Sequence, residues 1–173
     1  MKTPLLSFLA SVALSALSSA QTPSTNLRHQ IPPNLLGECD VFANADNHYR
    51  LQVNGEKILD AASFNTTQSK KVTLYRGDVI TIYGKNFEAG TRGGVCVTIL
   101  KDGKPILTTK DFKYAVKPKK PDWQTSSSLD EFKEPDFYIG TYSPVANEKN
   151  PTMAWGKGSD RHSLELYFKA LLR

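Results

Sequence analysis

The chain has 173 residues, with 22 Lys and Arg against 17 Asp and Glu, for a net charge of +5. The positive excess is mild and scattered, which suits solubility and excludes the clustered basic stripe of a nucleic-acid-binding surface. No histidine stands at metal-ligand spacing to either of the two cysteines, so a zinc site is not indicated.

The first element in chain order is an export signal. Lys2 supplies the positive start, and Leu5 to Leu17 is uncharged. That run has the length of a signal-peptide apolar region and falls short of the ~20 residues that span a bilayer. Ser18-Ser19-Ala20 puts small residues at the cleavage position. The expected organisation is a signal peptide over 1–20, a flexible Pro- and Ser-rich tail over 21–35 and a single domain over 36–173, in a secreted, extracellular protein. No later stretch is apolar enough to cross a membrane. In an oxidising compartment an even cysteine count makes a Cys39–Cys96 disulfide the expectation, worth roughly 4 kcal/mol on loop-closure entropy alone; a free thiol pair is the alternative. Asn65-Thr66-Thr67 is an acceptor for N-linked sugar, whereas the proline of Asn150-Pro151-Thr152 blocks that site.

From Cys39 the pattern has period two. Cys39, Val41 and Ala43 alternate with polar residues, and so do Tyr49, Leu51 and Val53. Asn54-Gly55 then predicts a type I′ hairpin turn into Lys57-Ile58-Leu59, because that turn needs positive φ at both positions. Val72 and Leu74 open another strand, ended by Arg76-Gly77-Asp78, where Gly-Asp is good turn chemistry. Val79 to Tyr83 is β-branched and aromatic, and a loop with four glycines runs from Gly84 to Gly94. Val95 to Leu100 is a strand buried on both faces, and Asp102-Gly103 makes a second hairpin turn into Pro105-Ile106-Leu107. Val116 to Ser128, rich in Pro and Lys, breaks the pattern. Leu129 to Phe132 can form one helical turn, and Phe137 to Tyr142 another strand. Ser143 to Asp160 reads as a long loop holding Trp155, and Leu164, Leu166 and Phe168 mark a final strand with one wet face. Short strands at this spacing predict an all-β sandwich.

Ala45-Asp46-Asn47-His48-Tyr49-Arg50-Leu51-Gln52-Val53-Asn54-Gly55 resembles the "ADNxYxLxVNG" opening of galactose-binding-like jelly-roll domains. Val72 to Ile80, with its Gly77-Asp78-Val79-Ile80 turn, is similar to the strand and "GDNVI" turn that follow in that family, and Asn86 matches the polar position before its Gly-rich loop. The likeness spans roughly Val41 to Leu107. It implies a jelly-roll β-sandwich of about eight strands that binds glycans at its loop end, or packs beside a glycoside-processing domain.

The candidate ligand residues are Asp46, Asn47, Asn86, Trp123, Tyr138 and Trp155. Sugar rings present C–H faces that stack on aromatic planes, while amides and carboxylates bind their hydroxyls. Each residue has a structural alternative: the tryptophans can plug the open ends of a sandwich, and Asp46, Asn47 and Asn86 can bond their own turns. Asp46 and Asn47 could also coordinate calcium; no other cofactor is implied. Lys117 to Lys120 could touch an acidic polysaccharide or simply form a solvated loop. No Gly-x-Ser-x-Gly turn or His-Glu-x-x-His helix is present, and the carboxylates Asp130, Glu131, Glu134 and Asp136 are the remaining candidates for hydrolysis. The expected function is a secreted, non-catalytic, lectin-like module whose partner is an extracellular glycan or glycoprotein. The alternatives are a structural or interaction protein of a wall or matrix and, last, a small secreted hydrolase.

Overall fold

Two dipeptides set the two tight hairpins. Asn54 and Gly55 have φ of 50° and 83°, and Asp102 and Gly103 have 50° and 75°, the positive values that a type I′ turn requires. In the computed structural model, which describes residues 32–62, 67–140 and 151–173, these turns join β2 (His48–Val53) to β3 (Glu56–Ala61) and β6 (Gly94–Lys101) to β7 (Lys104–Thr108). The remaining strands are β1 (Leu35–Asp46), β4 (Gln68–Tyr75), β5 (Val79–Lys85), β8 (Lys113–Ala115), β9 (Asp136–Ile139), β10 (Thr152–Trp155) and β11 (Glu165–Leu171). Residues 1–20, the tail as far as 31, and Asn65 lie outside the described residues.

The strands form an all-β sandwich of two antiparallel sheets. Sheet A has the order β4-β1-β6-β10-β9, with β7 also paired to β6; sheet B has the order β3-β2-β5-β11-β8. The period-two pattern supplies the core between them. Val41, Ala43 and Ala45 of β1 and Val95, Val97 and Ile99 of β6 meet Tyr49 and Leu51 of β2, Ile80 and Ile82 of β5 and Leu166 and Phe168 of β11. The Tyr49 hydroxyl donates to the Ala43 carbonyl at 3.0 Å, so its buried polar tip is satisfied.

Cys39 and Cys96 do not form a disulfide with each other; both side chains are buried. The strand register explains why the expected disulfide does not form. Cys96 lies opposite Asn44, five residues along β1 from Cys39. At the strand rise that is about 17 Å, far beyond the reach of a disulfide. The two side chains also leave opposite faces of the sheet. Cys39 shares the core face with Val41, and Cys96 points outward with Asn44.

Three expectations about the second half change. Trp155 sits on β10 rather than in a loop. Leu129 to Phe132 is a hydrogen-bonded turn, closed by the Phe132 amide on the Leu129 carbonyl at 2.9 Å. The last strand is central in sheet B, between β5 and β8, and its outer face is covered at Lys169, which is 1% exposed. The cover is the irregular segment 116–135, a strap across the outer face of the sheet. Lys169 Nζ donates to the Ser128 carbonyl at 2.8 Å, and Tyr114 and Lys133 exchange backbone hydrogen bonds of 2.8 and 2.7 Å.

Candidate functional site

Five of the six predicted ligand residues gather at one end of the sandwich, around the loop 86–93. Asp46 ends β1 opposite Gly94. Asn47 Oδ1 accepts from the Phe87 amide at 2.7 Å, and Asn47 Nδ2 donates to Asp46 Oδ1 at 2.7 Å. Asn86 Nδ2 donates to the Thr91 carbonyl and hydroxyl at 3.1 and 3.0 Å, while its Oδ1 accepts from the Glu88 amide at 3.1 Å. Asn47 thus staples the loop to the β1–β2 turn, and Asn86 closes the loop on itself. Burial, and then the charge of Glu88, raises the Asp46 carboxyl above the usual aspartate range. Among the described residues no group of three or more His, Cys, Asp or Glu could hold a metal ion.

Of the aromatic residues at this end, Trp155 is covered, Tyr138 is half-buried and Phe87, in the loop itself, is 57% exposed. The Tyr138 hydroxyl donates to the Gly93 carbonyl at 2.7 Å, and the Arg92 guanidinium lies over its ring at 3.8 Å. Burial pushes this phenol up to about 12. Trp155 is 0% exposed. Its indole fills the space beside Gly84 and Gly93, where a Cβ would approach it to 3.0 and 2.8 Å, and its ring lies 6.0 Å from that of Phe168. Small residues at 84 and 93 are therefore what admit it between the sheets.

Trp123, the sixth residue, is elsewhere. It lines a cleft of about 360 Å³ on the outer face of sheet B, with His48, Arg50, Gln52, Tyr83, Lys85, Gln124 and Tyr167. The strand register builds the floor. His48 pairs with Lys85, and Lys85 with Glu165; Arg50 pairs with Tyr83, and Tyr83 with Tyr167; Gln52 pairs with Thr81, and Thr81 with Lys169. Directly opposed residues share a face, so these nine side chains form three parallel rows. The strap closes over the third row and supplies the wall. Gln124 Nε2 donates to Gln52 Oε1 at 2.7 Å, and the Trp123 ring stands edge-on to Tyr167 at 5.4 Å and 81°. Tyr83 lies 5.3 Å from Tyr167 and 5.8 Å from His48. The result is a continuous run of rings, His48–Tyr83–Tyr167–Trp123.

Charges flank that run. Asp60 of β3 holds Arg50 Nε at 3.1 Å and His48 Nε2 at 2.8 Å. Burial alone would raise the Asp60 carboxyl, but these two partners outweigh it and leave the carboxyl below its ordinary value. Glu165 holds Lys85 at 3.1 Å. Burial first, and then the Glu165 carboxylate, push the Tyr83 phenol well above its ordinary value. The cleft thus offers ring faces, the Gln124 amide and two oriented cations, whereas Gln52, 9% exposed, donates to the Gly55 carbonyl at 2.8 Å and accepts from Gln124.

The acidic residues singled out for hydrolysis are each engaged. Asp130 meets Lys120 and Ser128, Glu131 accepts from the Lys119 and Lys120 amides, Glu134 pairs with Lys113, and Asp136 with Arg92 and Arg161. Asp78 is likewise spent on its turn, accepting from Asn54 Nδ2 and the Tyr75 amide, both at 2.8 Å.

Sequence reasoning missed seven of the eight cleft residues. The available signal was the polar half of the period-two pattern: His48, Arg50 and Gln52, then Tyr83 and Lys85, then Tyr167. Only the pairing order β2-β5-β11 brings these together. Comparison of the chain with family models, with curated proteins and with solved structures finds no match in any of the three.

Proposed function

We propose that this protein is a secreted, non-catalytic glycan-binding module of galactose-binding-like jelly-roll type, and that the saccharide lies in the cleft on the outer face of sheet B. The observation that carries the reading is the run of rings His48–Tyr83–Tyr167–Trp123 beside the amide of Gln124. Sugar C–H faces stack on such rings, and their hydroxyls pair with such an amide. Because the strap and the strands fix these side chains before binding, little ordering entropy remains to be lost. The export signal over 1–20 supports an extracellular setting, and the likeness of Ala45 to Gly55 and of Val72 to Ile80 supports the jelly-roll assignment. Binding on this reading needs no calcium.

A glycan array with the chain from Gln21 onward tests the proposal. Selective binding is expected, unchanged by a chelator and abolished in Trp123→Ala while circular dichroism stays that of a folded sandwich. Absence of binding to any saccharide would point instead to a structural or interaction protein of a wall or matrix.

A further inference from the structure

We infer that the saccharide bound in this cleft is an acidic one, recognised through a carboxylate or sulfate on its ring; the inference rests on the glycan-binding reading above. Arg50 and Lys85 line the cleft directly, and the carboxylates that pair with them, Asp60 and Glu165, stand beside it on the same face of sheet B. Arg50 meets Asp60 through Nε, at 3.1 Å. Its terminal nitrogens have no other hydrogen-bond partner among the described residues, which leaves an edge of the guanidinium able to grip an anion with two parallel hydrogen bonds. Its side chain is 48% exposed, so the existing ion pair is solvent-screened and does not consume the charge.

Position favours the same answer. Arg50, Tyr83 and Tyr167 form one row across three adjacent strands, with Trp123 edge-on to its far end. Two strand spacings are about 10 Å, the reach of a short oligosaccharide rather than of a single ring. One ring stacks at the Tyr167–Trp123 end while the charged group of a neighbouring ring meets Arg50, with Lys85 beside Tyr83 as the second cation. A neutral saccharide would use the rings and take only uncharged hydroxyl hydrogen bonds from the two cations.

The test is titration of the mature protein, read by isothermal titration calorimetry, with a short oligogalacturonate, its fully methyl-esterified form and a sulfated oligosaccharide of similar length. Esterification removes the charge and keeps the rings. The acid is expected to bind at least tenfold tighter than the ester, in line with a charged hydrogen bond, and its affinity should fall as salt rises. Arg50→Gln should collapse the acid-to-ester preference to about one, and Lys85→Gln should reduce it, each with unaltered circular dichroism. Tight, Arg50-dependent binding of the sulfated probe instead of the carboxylated one keeps the assignment and identifies sulfate as the recognised anion. Equal affinity for acid and ester overturns it while leaving the glycan reading intact. Binding of acidic probes that survives Trp123→Ala overturns it as non-specific charge attraction. If no probe binds and no array glycan does either, both readings fall together.

Discussion

The loop end of the sandwich and the outer face of sheet B carry the same kinds of side chain. Each has aromatic rings, carboxamides, an arginine and a carboxylate. At the loop end Trp155 is sealed between the sheets, Tyr138 lies under Arg92, and Asn47 and Asn86 spend their amides on loop backbone. On sheet B the rings of Tyr83, Tyr167 and Trp123 border an open cleft of about 360 Å³, with Gln124 bridging to Gln52 at its wall. Composition alone does not separate a binding surface from a packed plug. What separates them is whether a ring face and a hydrogen-bonding edge remain for something outside the chain.

Tryptophan truncation exposes the contrast most strongly. Trp155→Ala empties the space between Gly84, Gly93 and Phe168 and should cost about 3–5 kcal/mol, lowering the melting temperature by on the order of 10 °C. Trp155→Phe should cost less, because it keeps most of the packing and removes an indole N–H that has no partner among the described residues. Trp123→Ala should cost about 1–2 kcal/mol, since the ring is only half buried, yet eliminate glycan binding. Equal melting temperatures for the two alanine variants would erase the distinction between plug and cleft.

Alkaline titration is the next largest expectation. The phenols of Tyr49, Tyr83, Tyr114, Tyr138 and Tyr167 are all raised, chiefly by burial, Tyr138 to about 12. A raised phenol favours the folded state while both states are protonated. Its contribution is complete below the unfolded value of about 10 and is lost as pH climbs through the folded values. Lys169, lowered by burial, acts in the opposite sense: its penalty fades as pH approaches the ordinary lysine value. Five groups outweigh one. The melting temperature should therefore fall by several degrees between about pH 9.5 and 11.5. A flat profile, with tyrosine absorbance titrating in one step near 10, would mean that none of these rings, at the loop end or at the cleft, is as enclosed as the structure places it.

Asn86→Ala comes third. It strips the hydrogen bonds to Thr91 and Glu88 and should cost about 1–3 kcal/mol, with glycan affinity unchanged, because Asn86 does not line the cleft. Loss of binding in a stably folded Asn86→Ala protein would return the ligand to the loop end.

Much of the fold was legible because it is written in neighbouring residues. Alternation at Cys39–Ala43 and Tyr49–Val53 marks β1 and β2, and Asn54-Gly55 and Asp102-Gly103 carry the positive φ their turns need. The cleft was not legible. Its residues come from 48–52, 83–85, 123–124 and 167, and they meet only through the long-range pairing of β2 with β5 and of β5 with β11. The strap was equally hidden: a Pro- and Lys-rich stretch gives no periodic signal, and the burial of Lys169 under Ser128 follows from tertiary placement. Trp155 could be recognised as a plug-or-ligand residue, but not assigned to β10, since its strand is four residues long and flanked by irregular sequence.

The smallest expected effect belongs to the cysteines. Cys39 faces the core and Cys96 the opposite face of sheet A, each 2% exposed, with Cys96 beside the Thr109 hydroxyl at 3.5 Å. Burial raises the Cys39 thiol and so lowers the population of its reactive thiolate. Iodoacetamide should leave both thiols untouched in the native protein and modify two per chain in denaturant. A reducing agent should leave the melting temperature where it is. A cross-link between them would be worth roughly 4 kcal/mol, so its reduction would lower the melting temperature by on the order of 10 °C. The same measurement bears on the two regions. Cys96 shares β6 with Gly94, on which Tyr138 packs. If Cys96 alkylates without denaturant while Cys39 does not, the loop-end side of sheet A opens in solution, and the enclosure that distinguishes it from the cleft is lost.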